Sequence, residues 1–145
     1  MLALVARYIT KLALAFWIGE MLFFVIIFAP RVFRVLPRLQ AAELQAAIFP
    51  PYYMSGLICG VLILLGMIVN RPERPWAWGL AVFATLVFAY SRFSITPELL
   101  QLQPQVVGIE NPDPAAAERF KEIHRLSVQV NGAALMGLLV LLALL

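Results

Sequence analysis

Glu20 stands inside an apolar run, Leu12 to Ala29, that is otherwise long enough to cross a bilayer. A carboxylate near the middle of such a run costs roughly 3 kcal/mol on insertion scales. It is therefore expected to be protonated, paired, or turned toward an internal cavity. A second polar set lies late in the chain. His124, Ser127 and Asn131 follow one another at helical offsets that put them on one face, with Phe120 on the same face. Glu20 and Asn131 are expected at similar depth. They could share an interhelical hydrogen bond that sets register, worth roughly 1 kcal/mol. With Arg92 and His124 they could instead frame a site for a proton, a cation or a polar substrate. Arg92 follows Tyr90 and Ser91 at the end of an apolar run. Its guanidinium is expected to snorkel to phosphate headgroups, or to form a basic mouth with Arg31, Arg34 and Arg125 that attracts anions.

Other chemistries find little material. His124 is the only histidine, and with Glu20 it falls short of the three or four ligands of a zinc site, so no metal ligands are assigned. Haem could take one histidine as axial ligand, with Arg92 or Arg125 near its propionates, but nothing in the sequence requires it. Met54 and Cys59 are soft ligands standing alone. Cys59 is also the only cysteine, which rules out a disulfide framework within one chain. No glycine-rich phosphate loop, activated Ser/His/Asp set or closely paired carboxylates occurs, so no catalytic residue is assigned.

The elements that must position these groups follow from hydropathy. The chain has 145 residues, 63% of them hydrophobic and 13% charged, too apolar for a small soluble domain. An all-α, multi-pass membrane protein is expected, with four spans at about 8–29, 50–69, 76–95 and 117–144. Pro30, Pro50-Pro51 and Pro97 mark span ends, and Asp113-Pro114 reads as a helix N-cap. Residues 31–49 suggest a short interfacial helix broken at Pro37, and 98–113 an irregular loop. Tyr52, Trp76, Trp78 and Arg38 are expected at the headgroup level. Arg7 and Lys11 precede an apolar core too long for a signal peptide, and no small-residue cleavage site follows.

Stripes of small residues, Gly56/Gly60, Ala77/Ala81/Thr85/Ala89 and Ala133/Gly137, are expected to let helices approach closely. The net charge of +3 is read as headgroup contact, not nucleic-acid binding. Arg7, Lys11, Arg71 and Arg74 fall on one side of the membrane, side A. The remaining basic residues, including those of the 31–49 segment, fall on side B. The positive-inside rule puts side B in the cytoplasm.

Several of these pieces occur together and in order. They are Trp17-x-Gly19 with Phe23, Phe24 and Phe33; Leu36-Pro37-Arg38; Phe49-Pro50-x-Tyr52; Arg92 and Pro97; and Phe120-x-x-x-His124-x-x-Ser127-x-x-x-Asn131. In them the chain resembles the family of animal transmembrane protein 205 and its bacterial relatives, a group named as a domain of unknown function. The resemblance implies four membrane helices. Through the animal members it also implies an association with resistance to platinum drugs and with membrane traffic or export. A looser likeness of scale to four-helix haem-dependent protoporphyrinogen oxidases lacks their first-helix histidine.

The expectation is a four-helix bundle in the bacterial cytoplasmic membrane, acting as a non-enzymatic binding or transport-related protein. Glu20, Arg92, His124, Ser127 and Asn131 would form a polar site opening on side B. Its partners would be the lipid bilayer and either a homo-oligomer, which a translocation path through so narrow a bundle would need, or a larger membrane complex. In the complex the chain would be an accessory subunit. A haem or metal redox enzyme is the third alternative.

Overall fold

A computed structural model describes all of residues 1–145 as helices and short connections, without strands. Four helices are long and apolar enough to cross a membrane: α1 (Leu2–Val35), α2 (Arg38–Asn70), α3 (Trp76–Val106) and α4 (Pro114–Leu142). The connections at 36–37, 71–75 and 107–113 are short, so consecutive helices run antiparallel. Each helix packs on the next in sequence, and α1 also touches α4, which closes the ring.

The helix ends differ from the sequence expectation in three places. Pro30 does not end α1, and Pro97 does not end α3. A proline inside a helix lacks an N–H and crowds the carbonyl four residues back. Here both helices absorb the defect by widening just before it, through π-helical turns at Phe23–Phe28 and Ser91–Ile95. The Thr96 hydroxyl donates to the Ser91 carbonyl at 2.7 Å, which satisfies an acceptor at the second of these turns. The third difference is at Pro50-Pro51, which lies inside α2 instead of opening it. Segment 38–49 is thus the first third of a long helix, not a separate interfacial one. Membrane helices tolerate such prolines where neighbouring packing holds the geometry, and Gln45, Tyr52 and Tyr53 are buried on either side. Consequently 98–106 is helix, and only 107–113 remains as a loop.

The other ends have local causes. Leu36 and Pro37 are extended, so the chain turns between α1 and α2 there. Arg71 adopts a left-handed conformation (φ 40°), and its N–H closes α2 on the Met67 carbonyl at 2.8 Å. Asp113 caps α4 by accepting from the Ala116 N–H at 2.9 Å, with Pro114 at the first helical position.

The core is built from Leu14, Trp17 and Met21 of α1, Ile63 and Met67 of α2, Phe88 of α3, and Leu138 and Leu141 of α4. Trp17 and Phe88 meet edge to face with centroids 4.8 Å apart, a geometry that adds roughly 0.5–1.5 kcal/mol to simple burial. Gly56 makes that contact possible: a Cβ there would collide with both the Phe88 ring and the Trp17 indole. Gly66 likewise receives Thr10, whose hydroxyl donates to the Ala6 carbonyl at 2.8 Å. On α4 the inner face carries Ala134 and Gly137, while Ala133 points outward. Of the expected Ala133/Gly137 pair, Gly137 faces inward as expected and Ala134 takes the place of Ala133.

Candidate functional site

Glu20 finds its partner on α2. Its carboxylate oxygens lie 2.6 and 2.7 Å from the Ser55 hydroxyl, which is also 2.8 Å from the Tyr52 carbonyl. One hydroxyl proton thus faces three acceptor oxygens. No basic side chain forms a salt bridge with Glu20. The expected pairing of Glu20 with Asn131 does not occur; each is met instead by a different side chain of α2. That helix turns Ser55 toward Glu20 and two tyrosines toward α4.

Asn131 belongs to that second contact. Its Nδ2 donates to the Tyr53 hydroxyl at 2.7 Å and to the Ser127 carbonyl at 3.0 Å. The Tyr53 hydroxyl lies 3.3 Å from Ser127 Oγ, and the Tyr52 hydroxyl reaches Asn131 Oδ1 at a long 3.5 Å. Tyr52 is therefore not a headgroup anchor. It is 5% exposed and Tyr53 is 1% exposed, within an aromatic cluster with Phe24, Phe49 and Phe88. The cause is their position on the face of α2 that points into the bundle, where Tyr53 follows Phe49 by four residues and Gln45 by eight.

Beside this network a cleft opens in the side B half of the bundle. It has two compartments, of about 280 Å³ and about 410 Å³. They share Phe33, Gln45, Phe49, Tyr53, His124 and Ser127 as common walls. The smaller one reaches α3 at Thr96 and Gln103 and has Arg38 at its edge. The larger lies between α1 and α4, floored by Tyr52 and Tyr53 of α2, and includes Asn131. Gln45 is the unusual member. It is 7% exposed, and its amide nitrogen has no hydrogen-bond partner. A buried amide without a partner costs about 1–3 kcal/mol.

Of the five binding residues expected from sequence, the cleft gathers His124, Ser127 and Asn131. Glu20 and Arg92 line neither compartment. His124 is exposed and parallel to Phe120, with centroids 6.3 Å apart. Arg92 sits in the π-helical turn of α3, where its guanidinium carbon lies 5.5 Å from the centroid of the Phe93 ring and its Nε is buried without a partner. Arg31, Arg34, Arg38 and Arg125 are exposed and form no salt bridge. At the opposite end Trp76 is exposed, with Arg74 over its ring at 5.9 Å, while Trp78 is half-buried against the core. No three His, Cys, Asp or Glu side chains converge in the molecule.

Sequence reasoning missed Gln45, Tyr53 and Ser55 as site residues. A signal for the first two existed: Gln45, Phe49 and Tyr53 recur every fourth residue, one stripe of a helix running through Pro50-Pro51.

Residues 12–107 match a family described as Domain of unknown function (DUF4149). The chain belongs to this family. The matched stretch takes in Glu20, Gln45, Tyr53, Ser55 and Arg92, and ends before the His124, Ser127 and Asn131 face of α4. An uncharacterized protein of Aquifex aeolicus (strain VF5) is 29% identical over 129 residues, covering 87% of this chain and 88% of that protein. Neither match names transmembrane protein 205 or assigns an activity. No solved structure matches.

Proposed function

We propose that this DUF4149 protein is a non-enzymatic membrane protein that binds, or helps to move, a small ligand through its side B cleft. The observation that carries this reading is the cleft itself. Two joined compartments meet at Gln45, Tyr53 and Ser127, and the Gln45 amide lacks a partner that a ligand would supply. Sites of this form, mostly apolar with a few convergent polar groups, are the usual small-molecule sites of helical bundles. Glu20 acts apart from the cleft, as a proton-carrying group against Ser55. Side B faces the cytoplasm of a bacterial cell, and the resemblance to transmembrane protein 205 supports a role in export.

A test is a thermal-shift screen in mild detergent with organic cations, organic anions, metal salts and amphiphiles. A ligand at a hundredfold excess over Kd stabilises the folded state by about 2.7 kcal/mol, which is an easily measured rise in Tm. One class is expected to raise Tm in the native protein and to lose that effect in a Tyr53→Phe, Ser127→Ala double variant. If no class does so, the cleft is packing space and the binding function is wrong.

Glu20 favours a second reading, an accessory subunit in a larger complex. Its carboxylate is only half-buried, with a single hydroxyl partner, beside the exposed apolar side chains Phe16 and Phe23 of α1. A neighbouring subunit bringing a donor to Glu20 would complete it. Native mass spectrometry of the particle extracted in mild detergent separates the two: unrelated subunits that dissociate on Glu20→Ala establish the accessory role.

A further inference from the structure

We infer that the ligand of the cleft is a single-chain amphiphile of the bilayer with a carboxylate or phosphate head, admitted sideways between α1 and α4. This rests on the cleft being a binding site, as proposed above, and adds what occupies it and by which route.

The two compartments differ in kind. The larger is walled by apolar side chains, Met21, Phe24 and Leu135 among them, and receives no residue from α3. Its rim is formed by Val25 of α1 and by Val128 and Gly132 of α4, all exposed on the outer surface of the bundle. In a membrane-spanning bundle that surface meets acyl chains, so the opening leads into the bilayer. Beside it runs the π-helical turn Phe23–Phe28, none of whose residues is buried. At about 30 Å³ for each water-sized group, a volume of about 410 Å³ has room for one hydrocarbon chain of roughly a dozen methylenes.

Hydrogen-bond donors line the junction of the two compartments, and the smaller one adds a cation. Gln45 contributes an amide nitrogen with no partner. The Tyr53 hydroxyl already accepts from Asn131, which leaves its own proton for Ser127 Oγ or for a ligand. Arg38 stands at the edge, exposed and without an ion-pair partner, and His124 lies where the compartments join. No aspartate or glutamate lines either compartment. Donors plus an unpaired guanidinium, with no carboxylate to oppose them, suit an anionic oxygen head. The head compartment lies toward the polar end of α2, and the chain compartment lies deeper in the apolar part. An amphiphile resting in the bilayer has its head and chain in that same order.

The full-length protein is exchanged into mild detergent, and oleate, lysophosphatidate, dioleoylphosphatidylcholine and an oleyl trimethylammonium salt are each titrated against it. Native mass spectrometry and Tm are the readouts. Oleate or lysophosphatidate is expected to be retained and to raise Tm, and which of the two is held more tightly identifies the head as carboxylate or phosphate. Two variants keep the test independent of folding. Gln45→Leu replaces an unpaired buried amide with an apolar side chain, so the ligand-free Tm is expected to rise by a few degrees while anionic-amphiphile binding weakens tenfold or more. A Cβ at Gly132 meets nothing within 4 Å, so Gly132→Leu is expected to leave Tm unchanged and to weaken binding similarly by narrowing the rim.

Equal or tighter retention of the cationic amphiphile overturns the head assignment. Retention unaffected by both variants overturns the placement in the cleft. If no amphiphile binds but a water-soluble ligand does, with sensitivity to Gln45→Leu, this inference fails and the proposed function stands. If nothing binds, both fall.

Discussion

Helix α2 serves two opposite purposes along its length. From Gly56 to Gly66 its small residues let the aromatic rings of Trp17 and Phe88 and the Thr10 side chain come against its backbone. From Gln45 to Tyr53 the same helix forms the wall of a cleft, with large side chains spaced every fourth residue and a buried amide left without a partner. The prolines inside the helices follow this division. Pro30, Pro50, Pro51 and Pro97 all fall in the loose half, and two of them are preceded by widened helical turns. Close packing in a membrane depends on small residues, since lipid supplies no hydrophobic drive between helices. A bundle that must keep an internal space can therefore place its glycines at one level and its bulky polar and aromatic residues at another. The first level holds the helices together and the second keeps the space between them.

Removing a large aromatic side chain of the tight half is expected to have the greatest effect. Phe88→Ala takes away the ring that fills the space above Gly56 and should cost about 3–5 kcal/mol, read as a lower midpoint of unfolding in mixed detergent micelles. A loss no greater than that of an outward-facing alanine substitution would show that the seam is not the stabilising half. Gly56→Leu comes next, with an expected loss of about 1–3 kcal/mol from overpacking. The identical change at Gly132 should stay within about 0.5 kcal/mol, because open space surrounds that position. Comparable losses at the two glycines would erase the contrast between the halves.

Smaller effects are expected from the polar groups. Tyr53→Phe deletes the acceptor of Asn131 and the neighbour of Ser127, a loss of about 1 kcal/mol by the usual worth of such bonds. Unfolding midpoints of Tyr53→Phe, Asn131→Ala and the double variant would reveal coupling between the two positions, and strict additivity would contradict the hydrogen bond. Glu20→Gln should change stability least. The amide oxygen still accepts from Ser55, so a shift below about 0.5 kcal/mol is expected, together with loss of any proton-coupled activity in membrane vesicles. Unaltered proton coupling would remove Glu20 from the function.

Four apolar helices, their all-α class and the helical face joining His124, Ser127 and Asn131 were legible in the sequence, because hydropathy and periodicity are local properties of the chain. The cap at Asp113 is local in the same way. What the sequence could not decide was which polar residues meet across helices. Depth alone made Glu20 and Asn131 plausible partners. The rotation of α2 gave each a different one, Ser55 for Glu20 and Tyr53 for Asn131. Nor could local rules settle the prolines. Read alone, each ends a helix, since it removes a donor and crowds a carbonyl. Within the bundle, neighbouring packing and widened turns carried the helices through at Pro30, Pro50-Pro51 and Pro97. That continuation set the length of α2 and brought Gln45 inside. Helix identity is paid for by bonds within a segment, but the cleft is the space left between segments, and only their mutual rotation and register determine it.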